Sequence, residues 1–209
     1  MSTTDEQEFG VTREERLEDG GVAKATFFEK RAKVGVLLLI LSDAMMVVSA
    51  FGSFVYLHAL NTSGAFKPSN EHAPALAGGL IIALLMVLGA VVFRIQIVPS
   101  ARSGREPGIR SGLSLALLLA IAALVVQLWA AATGSSYPTP VHGYASTMIL
   151  LEVIGVFHMF LTTVITALLF GRSKRRLLEG RSYPLETAGY WWYYVAGLSV
   201  VTWLLVTLI

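Results

Sequence analysis

The chain contains no cysteine, which removes disulfides, iron–sulfur clusters, zinc–thiolate sites and cysteine nucleophiles from consideration. Charge is also scarce: 14% of the 209 residues are Asp, Glu, Lys or Arg, against 55% apolar. A soluble domain of this length carries roughly a quarter charged residues, so the deficit points to lipid. A Walker A loop, a dinucleotide fingerprint, an HExxH helix and a serine elbow are all missing. No catalysis by this chain alone is expected, and no nucleic-acid partner. Deep histidines are few as well. His72 and His142 fall in loops, His58 lies at the end of the first apolar run, and only His158 is deep. Bis-histidine haem ligation, which needs two facing rings at one depth, is therefore not expected.

Long apolar runs are what the sequence does have. Five stand out, at about 34–60, 74–98, 112–133, 144–171 and 189–209. Each reaches the roughly 18–20 residues that cross the hydrocarbon layer. Backbone groups in lipid must be satisfied within their own segment, so each run is predicted to be a helix. The expected fold class is all-α, a polytopic membrane bundle of five transmembrane helices. Gly64, Pro68, Pro107, Gly108, Pro138, Pro140 and Pro184 mark the connections. The domain division is a charged tail over residues 1–31, expected to be mostly disordered, and a five-helix domain over 32–209. Thr12 and Glu15 have capping-box spacing and offer the tail a short helix as the alternative.

Basic residues set the direction. Lys24, Lys30, Arg31 and Lys33 precede the first run; Arg102, Arg105 and Arg110 follow the second; Arg172, Lys174, Arg175, Arg176 and Arg181 follow the fourth. The other two loops hold only Lys67, opposed by Glu71. The positive-inside rule then puts the N-terminus in the cytoplasm and the C-terminus outside, as a multi-pass protein of the cell's inner (plasma) membrane.

Polar residues inside the runs are the candidate sites. An acid at the centre of a span costs roughly 2.5–3.5 kcal/mol on insertion scales, so it persists when protonated, paired, or turned toward protein or water. Asp43 lies about ten residues into the first run, with Ser42 before it. Its functional reading is a protonatable group at a helix interface; its bland reading is a protonated acid hydrogen-bonded for packing. Glu152 and His158 share the fourth run but stand six residues, about 600° of rotation, apart, hence on different faces. Gln127 and Glu152 fall at similar depth and could hydrogen-bond if their helices are neighbours. Arg94, near the end of the second run, can snorkel to headgroups. Phe27, Phe28, and the stretch from Tyr190 through Trp191, Trp192, Tyr193 and Tyr194, read as interfacial belts. Gly78, Gly79, Ala83, Gly89, Ala90, Ala131 and Ala132 suggest close helix approach.

These residues resemble a family: subunit III of the haem–copper respiratory oxidases, in its short five-helix bacterial form. Leu41-Ser42-Asp43-Ala44-Met45-Met46 is similar to the family's serine–acid segment. Gln127 sits where the family has a Gln-x-x-Glu. Tyr144 and Ser146 open the fourth run as in the family, and His158 falls on the second histidine of a His-x-x-His pattern. Trp192-Tyr193-Tyr194-Val195 resembles the final Trp-His-Phe-Val-Asp segment. Gly155, Ala130, Tyr193 and Ala196 depart from these patterns and leave room for a paralogue serving a nitric oxide reductase.

The resemblance implies a non-catalytic accessory subunit that packs on the catalytic subunit I and other oxidase subunits. It would bind phospholipid and membrane lipid, and support proton uptake and durable turnover, with haem and copper in the partner subunits. Asp43 matches the family's buried acid. A small proton-coupled transporter working through Asp43 and Glu152 is the competing reading, although the sequence shows no inverted repeat and no pair of broken helices.

Overall fold

The computed structural model describes residues 13–61, 66–67, 76–134, 142–178 and 181–208, with side chains from 30 onward. Thr12, Gly64, Pro68, Glu71, His72, Pro138 and Pro140 lie outside the described residues, as do the side chains of Phe27 and Phe28. Among the described residues every regular element is helical: α1 (Arg13–Ala59), α2 (Leu76–Val92), a π-helical turn (Phe93–Ile97), α3 (Val98–Arg102), α4 (Glu106–Gly134), α5 (Gly143–Lys174) and α6 (Tyr183–Leu208). Five stretches are long and apolar enough to cross a bilayer: Lys30–Ala59, Ala77–Arg102, Glu106–Thr133, Gly143–Lys174 and Tyr183–Leu208. The chain is an all-α, five-span membrane protein.

Two sequence expectations change. Residues 13–29 are helical and continuous with the first span, rather than a mostly disordered tail. Arg, Glu, Leu, Ala and Lys are good helix formers, and Gly20-Gly21 is the main local penalty in that stretch. Pro107, Gly108 and Pro184 sit inside the first turns of α4 and α6, not in loops. A first-turn N–H has no intrahelical partner, so proline forfeits nothing there.

The second span is continuous but not uniform. Pro99 lacks an N–H and its ring crowds the carbonyl four residues back. The chain answers with the π turn just upstream, where the Val98 N–H donates to the Phe93 carbonyl. The helix then ends at Arg102, and Gly104, at φ +67, turns the chain into α4.

Helices α2, α4, α5 and α6 form a ring in which each packs on the next, and α1 lies outside it, against α5 and α6. The ring interior is filled by Met86, Phe93, Ile97, Leu113, Leu185 and Trp192, all fully buried. Helix α4 contributes Leu113, Ala116, Ala120 and Ala123 at three- and four-residue spacing, a small-residue stripe that allows close approach. Helix α1 offers a narrower seam: Lys33, Val36, Ile40, Asp43, Val47, Ala50 and Phe54 are its inward positions. They alternate at three and four residues, the spacing of a knobs-into-holes contact. Leu37, Leu38, Leu41, Met45, Met46 and Val48 are exposed.

Candidate functional site: an acid–histidine–tyrosine cluster at mid-membrane

Asp43, His158 and Tyr194 lie next to the midpoints of the spans Lys30–Ala59, Gly143–Lys174 and Tyr183–Leu208. The fold brings the three together. Asp43 Oδ2 stands 2.7 Å from His158 Nε2 and accepts a hydrogen bond from the Tyr194 hydroxyl at 2.5 Å. His158 Nδ1 lies 2.7 Å from the Ile154 carbonyl oxygen, one turn back on α5. A carbonyl can only accept, so Nδ1 carries a proton. The remaining question is the proton between Nε2 and Oδ2. Either the carboxyl donates it to a neutral ring, or an imidazolium donates it to a carboxylate. Both forms leave the pair neutral overall, which is what a low-dielectric site tolerates.

The surroundings fix the imidazole. It is 0% exposed, whereas the Asp43 side chain retains 15%. The Trp191 ring lies parallel to it, with centroids 5.7 Å apart and planes 6° apart, and Phe157 meets it edge-on at 5.8 Å. Trp191 is held in turn: its Nε1–H donates to Thr162 Oγ1 at 2.9 Å, and that hydroxyl donates to the His158 carbonyl at 2.7 Å. One turn on, Trp192 Nε1–H donates to Thr166 Oγ1, and Thr166 to the Thr162 carbonyl. His158, Thr162, Thr166 and Ser173 are all fully buried, so α5 turns a polar stripe inward.

Of the sequence candidates, Asp43 and His158 therefore belong to one site. Ser42 is exposed, outside the inward seam of α1. Gln127 does not reach Glu152, although α4 and α5 are neighbours. Its amide packs over Gly155, where a Cβ would stand 3.1 Å from Nε2; the missing side chain makes the hollow that receives it. Glu152 faces a groove on the outer side of that contact. Trp191 and Trp192 are not interfacial: they are 3% and 0% exposed, because their indole N–H groups find the two threonines inside. Tyr193 and Tyr194 are half-buried and Arg94 is exposed.

Tyr194 as a partner of Asp43, and Thr162 and Thr166 as supports, went unread in the sequence. The available signal was the four-residue recurrence His158–Thr162–Thr166, a polar stripe on an otherwise apolar helix.

Two further groups fasten α1. At the end carrying the basic loops, Glu186 of α6 pairs with Lys33 at 2.9 Å and with Arg102 at 2.9 Å. At the opposite end Phe54, Phe66 and Tyr144 meet edge-on or tilted, at 5.5–6.4 Å. Phe66 is placed by its own N–H on Asn61 Oδ1, and its carbonyl accepts from the Tyr144 N–H. Compared with known proteins, the chain matches no family model and no curated protein.

Proposed function

We propose that the chain is a non-catalytic accessory subunit of a haem–copper terminal oxidase, similar to subunit III, lying in the inner (plasma) membrane with its basic loops in the cytoplasm. One observation supports this above the rest. Three of the sequence segments that resemble the family, around Ser42-Asp43, His158 and Trp192-Tyr193-Tyr194, each send one side chain to the same mid-membrane cluster. In this reading the cluster is a positioning element. It fixes α1 against α5 and α6, and so fixes the surface the subunit presents to its larger partner and to bound phospholipid. Haem and copper belong to the partner subunits. The transporter reading would join Asp43 and Glu152 in one path, but the first faces α6 and the second opens outward between α4 and α5.

Purification of the tagged full-length chain in mild detergent tests the proposal. Co-elution with a haem-bearing larger subunit and oxygen-consuming activity is the expected result. A colourless solitary oligomer rejects it, and a partner that reduces nitric oxide instead of oxygen moves the chain to the reductase branch. Within the complex, Asp43→Ala is expected to hasten loss of activity during turnover. Unchanged inactivation in a fully assembled variant complex rejects that role for Asp43.

A further inference from the structure

Helix α5 has helical neighbours on the sides facing α1, α4 and α6, and among the described residues nothing covers its remaining face. There Ile149, Glu152, Val153, Phe157 and Phe160 recur at helical spacing and, with Ala131 of α4, line an open groove of about 360 Å³. Val153, Phe157 and Phe160 are 60%, 54% and 56% exposed. The groove is apolar except for one group, the Glu152 carboxyl. Among the described residues no side chain hydrogen-bonds or ion-pairs with it.

Depth decides what can answer that carboxyl. Glu152 is six residues from His158, which lies next to its span's midpoint, so it sits about 9 Å from the membrane centre at 1.5 Å per residue. The hydrocarbon half-thickness is about 15 Å. The backbone at Glu152 therefore lies well inside the hydrocarbon layer, where acyl chains have no donor to offer. A polar group at such depth that faces outward marks a contact with another protein surface. A two-fold contact between copies through this face would set Glu152 against Glu152, an acid pair that holds together only while protons are kept between the two carboxyls.

We infer that the α4–α5 groove is the docking site for a transmembrane helix of a different protein, one that carries a hydrogen-bond donor or cation at the level of Glu152. The three- and four-residue spacing of the lining matches the ridge one helix presents to another, and the carboxyl supplies register and selectivity on an otherwise smooth face. Assigning that helix to the catalytic subunit rests on the accessory-subunit reading; the docking site itself does not.

The test uses the full chain in its native membrane, with a photoreactive residue at Val153 or Phe160 and, as a control, at Val201 on the exposed side of α6. The expected result is one heterologous adduct from the groove positions and none from the control. Peptide mapping should place the adduct in a membrane-spanning segment with a donor side chain within about one turn of the attachment. Glu152→Leu should lower its yield roughly three- to tenfold, the worth of one interhelical hydrogen bond, and Glu152→Gln should lower it less. Adducts only to a second copy or only to lipid, or an undiminished yield with Glu152→Leu, overturn the inference. No adduct in a complex that retains its haem subunit also overturns it, while leaving the oxidase reading intact. An adduct to a helix of a haem-free assembly upholds the docking site and overturns that reading instead.

Discussion

Replacing Asp43 with alanine deletes both hydrogen bonds at Oδ2 and leaves two polar atoms, His158 Nε2 and the Tyr194 hydroxyl, without their partner. The imidazole has little freedom to find another: it is fully buried and its other nitrogen is committed to Ile154. An unsatisfied buried group costs about 1–3 kcal/mol. Interhelical hydrogen bonds measured in bilayers are worth less, about 0.6 kcal/mol on average and about 1.7 at most, because helices separated in lipid find other partners. Two such losses put Asp43→Ala at about 1–3 kcal/mol. Asp43→Asn should cost under about 1 kcal/mol, since its amide can donate to the neutral ring while the tyrosine hydroxyl turns to accept. In His158→Ala the same acid–histidine bond is already gone, so the double variant should fall short of the sum of the singles by about 0.6–1.7 kcal/mol, the worth of that bond. Reversible unfolding in mixed micelles, titrated with a denaturing detergent, gives all four free energies. Additive singles, or an alanine variant as stable as the asparagine one, would refute the idea that this cluster fastens α1.

Two glycines separate by their surroundings although both lie in apolar helices. A Cβ on Gly89 would stand 2.1 Å from Trp192 Cζ3 and 2.6 Å from Cη2, and that ring is pinned by Thr166 and lies 5.4 Å from Phe93. Gly89→Ala should therefore destabilise by about 1–3 kcal/mol or more, whereas Gly52→Ala, with nothing within 4 Å, should be neutral or stabilising by up to about 1 kcal/mol. The same detergent titration reads both, and equal effects would show that the indole is free to retreat. At the basic end, salt should weaken the wild-type protein through the Lys33–Glu186–Arg102 pairs, since screening shortens to about 3 Å at 1 M. Glu186→Gln should flatten that dependence, and an unchanged salt slope would place the effect elsewhere.

How much of this could be read in advance differs between fold and site. Span number and positions followed from run length, because a bilayer imposes a minimum that few other structures meet. Helix ends were less legible. Pro107 and Pro184 look like loop residues in a string of letters, and only the geometry of a first turn makes them helical. Asp43 and His158 were visible as isolated polar residues. Their pairing was not, because they are 115 positions apart and nothing local fixes which faces of α1 and α5 meet. The seam of α1 was in principle visible: Val36, Ile40, Asp43, Val47, Ala50 and Phe54 keep a three–four alternation. It was masked because exposed positions such as Leu37, Leu38 and Met45 are equally apolar. In lipid, apolarity does not tell inside from outside. The aromatic run misled for a related reason: Trp and Tyr mark the interface statistically, but Trp191 and Trp192 have donors satisfied by Thr162 and Thr166 and so lie inside.

That loss of contrast bears on what holds the molecule together. Burying the α1 seam exchanges lipid contacts for protein contacts, and the hydrophobic effect gives little net drive for the exchange. Attachment must then come from packing fit and from groups that lipid cannot satisfy. Helix α1 has these at three levels, Lys33, Asp43 and Phe54, spaced about 15 Å apart along the axis at 1.5 Å per residue. Two of the three are polar, and each engages α6. On the same reasoning a polar group that the fold leaves unanswered is an attachment still to be made. Among the described residues Glu152 is such a group, at hydrocarbon depth on a face of α5 shaped like the seams already filled. The physical rule that explains why α1 stays docked thus also says where the next helix should come from.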